Sequence, residues 1–86
     1  MIHVYAFAEQ LEDLPSLDGL DGAPLERVRA DEVDAVFSRR TAETSRESLR
    51  RDAVAHGAVV EALTSRAAVI APVRFGELLS DETAPP

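Results

Sequence analysis

The strongest constraint on how this chain can fold is one stretch of helical periodicity. Leu49, Ala53, His56, Val60, Leu63 and Ala67 fall at alternating steps of four and three residues, one face of an amphipathic helix of about five to six turns. Ahead of the stripe stand Thr44 and Glu47, the spacing of a capping box, in which the hydroxyl and the carboxylate satisfy two amides that a helix leaves unpaired. The pattern predicts a helix over about 45–66. Gly57 lies inside it at a cost of ~1 kcal/mol against alanine, which predicts close packing at that point.

The other apolar residues occur in short runs rich in β-branched and aromatic side chains. Ile2–Ala8, reading IHVYAFA, suits a strand with Ile2, Val4 and Ala6 on one face and His3, Tyr5 and Phe7 on the other. Residues 25–30 and 33–38 read as two strands of a hairpin joined by Asp31 and Glu32, although this pair lacks the glycine that tight hairpin turns favour. In the second arm Val33, Ala35 and Phe37 share one face, and Asp34, Val36 and Ser38 the other. Residues 69–75, VIAPVRF, make a fourth strand. Pro72 cannot donate to a ladder, which places this strand at an edge or on a bulge. Between the first two strands, Pro15, Gly19, Gly22 and Pro24 break residues 9–24 into a long loop, and Leu11, Leu14, Leu17 and Leu20 recur there every third residue to pin it down. Ser80, Asp81 and Glu82 have the form of a helix entry that Pro85 and Pro86 cut short. The sequence therefore reads as one domain over residues 1–86, stopping partway through an architecture, with 80–86 a truncated helix start or tail.

Composition narrows the function classes. There is no cysteine, so disulfides, thiolate metal sites and cysteine nucleophiles are excluded together. The net charge of −7 argues against nucleic acid or an anionic membrane as partner. No apolar run approaches the ~18 residues of a membrane span, and no secretory signal follows Met1. The charge is uneven: residues 1–34 hold nine acids and two arginines, and residues 35–76 hold seven arginines and four acids.

Catalytic patterns find little support. A serine or threonine nucleophile needs a base; the histidines are His3 and His56, and no serine occupies a Gly-x-Ser-x-Gly elbow. The four glycines form neither a phosphate loop nor a dinucleotide fingerprint. Two histidines on separate elements give no metal-ligand spacing, and residues 18–22, DGLDG, lack the offsets of a calcium loop and read as two turns. The expectation is no catalytic residue, no cofactor and no metal. His56, on the apolar stripe, reads as a core-edge histidine bonded to a neighbouring strand or loop. Arg74 and Phe75 are types enriched at interface hot spots; they read equally as a surface arginine and a core phenylalanine.

Taken together, IHVYAFA, GLDGAPLERVRADEVDAVFS, HGAVVEAL and APVRFGELLSDE resemble the N-terminal domain of the GvpL/GvpF family of gas vesicle accessory proteins, in order and over nearly the whole chain. The most specific element is the pairing of His56 in the helix with the later Pro72, Arg74, Phe75 and Gly76. The chain departs from the family pattern at Ala71, where a bulkier aliphatic is usual, and at Glu77, often threonine; family members also continue into a C-terminal helical half. The resemblance implies a modified ferredoxin-like α+β domain of order β-loop-β-β-α-β, its mostly antiparallel sheet packed on one helix, with the first helix replaced by the long loop. It also implies a cytoplasmic, gas-vesicle-associated accessory protein without catalysis. Such a protein would bind the hydrophobic major shell protein, keeping it soluble or recruiting it during vesicle formation, with other accessory proteins as further partners.

If the helix covers the Ile2, Val4 and Ala6 side of the sheet, then His3, Tyr5 and Phe7 face outward. On that expectation Tyr5, Phe7, Arg74 and Phe75 form the partner-binding set, and His56, Gly57, Pro72 and Gly76 are structural. Two other readings stand beside this one. One is a small ferredoxin-like ligand-binding domain or enzyme, dimerising through its sheet around a pocket that contains His56. The other is a regulatory or structural fragment that self-associates through its open sheet.

Overall fold

A computed structural model of the chain describes residues 1–75. The elements run β1 (Ile2–Glu9), β2 (Glu26–Ala30), β3 (Val33–Arg39), α1 (Leu49–Thr64) and β4 (Val69–Pro72). They form a four-stranded antiparallel sheet of order β2-β3-β1-β4 with α1 packed on one face. β3, α1 and β4 make a crossover that straddles β1, which is the ferredoxin-like arrangement with its first helix missing. The loop from 10 to 25 takes that helix's place, carrying a short 3-10 turn at Leu20–Gly22. Leu11 and Leu20 are buried in the core and Leu14 and Leu17 pack against it, so the leucine triplets do pin the loop. The Arg27 guanidinium adds to this by donating to the carbonyls of Leu11 and Glu12.

The hairpin turn is Asp31-Glu32, as its two-residue spacing implies, and Ala30 pairs with Val33 across it. Asp31 supplies the positive φ, 59°, that a glycine would otherwise provide; the short aspartate side chain tolerates that region. β4 lies at the sheet edge and ends on Pro72, so no ladder hydrogen bond is lost to the missing N–H.

Three local expectations are corrected. The reciprocal capping bonds form one residue later than expected, between Ser45 and Ser48, each hydroxyl accepting from the other's backbone N–H at 2.9 and 3.1 Å. Thr44 is otherwise engaged, accepting from Arg40 and donating to Asp52. The helix is regular from Leu49 to Thr64 rather than 45–66, and its buried residues are Asp52, His56, Val59 and Leu63. That stripe is rotated from the apolar one and leaves Leu49 exposed, because Asp52 takes an inward position opposite Arg40. Gly57 faces solvent, with no atom within 4 Å of where a Cβ would stand, so close packing does not explain it. Gly76 and the helix entry at Ser80 lie outside the described residues.

The largest correction comes from one residue. The register of β1 against β3 runs Val4 to Phe37 and then Ala6 to Val36, leaving Tyr5 as a β-bulge. The extra residue shifts the alternation by one. His3 and Tyr5 therefore face the helix, and so do Ala6 and Ala8, while Phe7 faces away. The core is built on this switch: Tyr5, Ala6, Ala8, Leu11, Leu20, Val36, Val59 and Leu63.

Candidate functional site

On the helix side the bulge brings four rings together. His3 Nε2 lies 2.8 Å from His56 Nδ1, and His56 Nε2 bonds the backbone carbonyl of Val73. A carbonyl can only accept, so His56 carries its proton on Nε2, and in the neutral pair His3 donates to His56 Nδ1. Tyr5 meets His3 edge-on at 4.8 Å, and Phe75 closes the group at 5.9 Å from His3 and 5.6 Å from His56. Burial lowers the pKa of both imidazoles. His3 falls to about 4, helped by the proximity of His56 and Arg40; at His56 the Val73 carbonyl opposes the shift without cancelling it. The pair is therefore neutral near pH 7 and fastens the chain after β4 to both the helix and β1.

Tyr5 Oη serves the loop. It accepts from the backbone N–H of Leu20 at 2.8 Å and shares a 2.7 Å bond with Ser38 Oγ. Gly19 passes so close that a Cβ there would stand 2.1 Å from this oxygen. A second polar group holds the start of the helix. Arg40 is buried between Asp21 and Asp52, donating to them at 2.9 and 3.1 Å. Burial raises the Asp52 pKa, but the bonds from Thr44, Ser48 and Arg40 outweigh it and hold the carboxyl below the usual range. Asp34, on the same face of the sheet, accepts both arms of Arg29, which keeps its carboxyl ionised and low. All of these polar atoms serve packing and loop attachment.

A cleft of about 90 Å³ opens beside the histidine pair, lined by Met1, Ile2, Val4, Thr44, Arg74 and Phe75 among others. Ligand pockets usually offer roughly 300–1,000 Å³. Among the described residues no group of three or more histidines and carboxylates is placed to hold a metal ion, and no helix is long and apolar enough to cross a membrane.

The other face of the sheet has no layer over it among the described elements. Register places Val28 and Ala30 of β2, Val33, Ala35 and Phe37 of β3, Ile2, Val4 and Phe7 of β1, and Val69 and Ala71 of β4 on it. Ile2, Phe7, Val28, Val33 and Val69 are all exposed, Phe7 by 44% and Val28 by 58%. Several large apolar side chains on one continuous sheet face differ from the scattered exposed residues of an ordinary surface.

The four expected partner-binding residues are thus separated. Tyr5 is buried and cannot meet a partner in the folded domain, and Phe75 is half-buried against the histidines. Arg74 lies at the cleft, and Phe7 alone stands on the open face. Of the expected structural residues, His56 and Pro72 occupy the positions described above. Val28 and Val33 were readable as exposed residues only once the Asp34, Val36 and Ser38 face was known to be the inner one; Arg40 and Asp52 gave no signal of their pairing.

The family model described as gas vesicle synthesis protein GvpL/GvpF matches residues 1–84. None of the curated proteins and none of the solved structures searched matches the chain. With the match spanning both the bulged first strand and the helix that carries His56, the chain belongs to the GvpL/GvpF family, the proteins of gas vesicle synthesis.

Proposed function

We propose that this domain is a gas vesicle assembly accessory protein that binds the hydrophobic shell protein through the open face of its sheet, keeping it soluble or recruiting it during vesicle formation. The observation that carries the reading is the set of exposed apolar side chains on that face: Ile2, Phe7, Val28, Val33 and Val69. Family membership supplies the process in which it acts. A shell subunit with a strongly apolar surface aggregates unless that surface is covered, and a preformed sheet face that carries several exposed apolar side chains can cover it at little conformational cost. The net charge of −7 then keeps the pair dispersed. Cytoplasmic location follows from this role as part of the same reading. So does an absence of catalysis, since the polar groups near the histidines are committed to one another and to the backbone.

The test is co-expression with the major shell protein, scored by the shell protein that stays soluble. The native chain retains it; Phe7→Ser and Val28→Ser each retain less while keeping the far-ultraviolet circular dichroism of the native fold. Equal retention by folded Phe7→Ser and Val28→Ser chains would remove the open face from the mechanism. The cleft beside His3, at about 90 Å³, lends the ligand-pocket alternative little support.

A further inference from the structure

Two imidazoles that face each other nitrogen to nitrogen hold one proton between them and no more. In the neutral pair that proton is on His3 Nε2, 2.8 Å from His56 Nδ1, while His56 Nε2–H is committed to the Val73 carbonyl. Among the described residues, His3 Nδ1 is then the one nitrogen of the four without a hydrogen-bond partner. A first added proton goes there, and the His3 Nε2–H still meets a bare His56 Nδ1. A second proton has only His56 Nδ1 left, which sets two N–H groups head to head between two cationic rings. The arrangement therefore survives one added proton and breaks with two, and the histidines titrate as a pair.

What moves when the pair breaks follows from how each side is anchored. His3 lies in β1 opposite Ser38 of β3, and His56 lies within α1. Residues 73–75 come after the last ladder pair of β4, Ala6 with Pro72. They are fastened by the Val73 N–H to the Tyr5 carbonyl at 2.9 Å, by the Val73 carbonyl to His56, and by the Phe75 ring against both imidazoles. A segment beyond the ladder opens at lower cost than a sheet or a helix. We propose that the His3–His56 pair is an acid-operated latch: two protons taken up by the pair release residues 73–75 while the sheet and helix stay folded. The groups around the pair give the added charge little shelter. Arg40, in the loop after β3, opposes a charge on His3; Asp21 and Asp52 favour one but are themselves bonded to Arg40. Tyr5 Oη is turned to Leu20 and Ser38, and Glu43, Arg74 and Met1 line the adjoining cleft, the Met1 amino group donating to the Arg40 carbonyl. Among the described residues no carboxylate is bonded to either imidazole. Open rings take up protons at their ordinary value of 6.5 and closed ones below it, so closure weakens as pH falls through 6.5. Opening brings water to both imidazoles, uncovers the Tyr5 carbonyl on the edge of β1 and unfastens the chain ahead of Gly76. The latch does not rest on the shell-binding reading above.

Hydrogen exchange of the full chain, followed amide by amide by NMR and corrected for intrinsic rates, tests the proposal at Val73. Over one pH unit, from about 5.5 to about 4.5, the opening equilibrium of that amide rises by more than about tenfold, the most that one proton per opening gives, toward the roughly hundredfold of two. Amides of the β1–β3 ladder stay more protected than Val73 throughout. His3→Gln keeps an Nε2 donor for His56 but cannot be charged, so the rise falls to about tenfold or less. Nitrogen-15 shifts of the native chain's imidazoles give a second reading that needs no variant. Near pH 7 both rings carry their proton on Nε2, and on acidification His3 Nδ1 is protonated before His56 Nδ1. A Val73 opening that ignores pH overturns the proposal, as does one that occurs only with loss of the whole ladder. So does a His3→Gln chain with the native pH response, or a neutral His56 protonated on Nδ1.

Discussion

Removing one oxygen from Tyr5 tests whether a loop can do the work of the helix it replaces. In Tyr5→Phe the ring and its packing stay, but Leu20 N–H and Ser38 Oγ each lose a partner at 2.8 and 2.7 Å. Leu20 is only 1% exposed, so its amide cannot turn to water without lifting the loop. A buried amide left unpaired costs about 1–3 kcal/mol, and the hydroxyl, which can rotate, adds about 0.5–1.5. The sum is about 1.5–4.5 kcal/mol, which at about 4–8 °C per kcal/mol in a domain of this size lowers Tm by roughly 6–36 °C. Urea unfolding followed at 222 nm reads the loss directly. The same structure makes a sharper demand: Gly19→Ala puts a methyl group 2.1 Å from the Tyr5 oxygen and 2.9 Å from the ring carbon that bears it. Deleting the oxygen relieves the worse of those contacts, so the two substitutions together cost at least about 1 kcal/mol less than the sum of their separate effects. A loss below about 0.5 kcal/mol for Tyr5→Phe, or strict additivity with Gly19→Ala, would refute the reasoning and detach the loop from Tyr5.

Asp52→Ala leaves the buried Arg40 guanidinium with Asp21 as its carboxylate partner beside the Thr44 hydroxyl, and a loss of about 3 kcal/mol in urea unfolding is expected. Gly57→Ala has open space for its methyl group and raises stability by about 1 kcal/mol, read in the same assay; destabilisation would mean that the helix surface there is covered. The histidines impose a pH dependence of definite sign. His3 has a folded pKa of about 4 against 6.5 unfolded, and His56 is lowered too, so the unfolded chain takes up protons first and stability falls as pH drops from about 6.5 to 4. Asp34 and Asp52 are held below 3.8, so their contribution is lost only at lower pH, and a His3→Leu variant flattens the upper window alone.

What the sequence revealed of the fold, and what it concealed, follows from which signals are local. The helix, the hairpin and the edge strand each rest on periodicity, turn chemistry or proline within a few residues, and each is found close to its expected place. The bulge at Tyr5 left no such mark. IHVYAFA has apolar residues on both faces, so a shift of one position changed no polarity pattern, yet it moved His3 and Tyr5 inside and left Phe7 outside. The helical stripe was misplaced for a related reason. Asp52 carries no local mark of its burial, and its buried partner Arg40 lies far off in sequence, in the loop that follows β3. The site suffered more than the fold, since which residues meet a partner depends on that one register shift.

The central claim is that the open sheet face, with Phe7 near its middle, receives the shell protein. A photo-crosslinking side chain placed at position 7 measures this directly, with Val54 as the control: it is 67% exposed and apolar, but lies on the helix, on the opposite side of the sheet. Upon co-expression and irradiation, the account predicts shell protein crosslinked at position 7 and little or none at position 54. Crosslinking at position 54 in preference to position 7 would contradict it and move the contact to the helix.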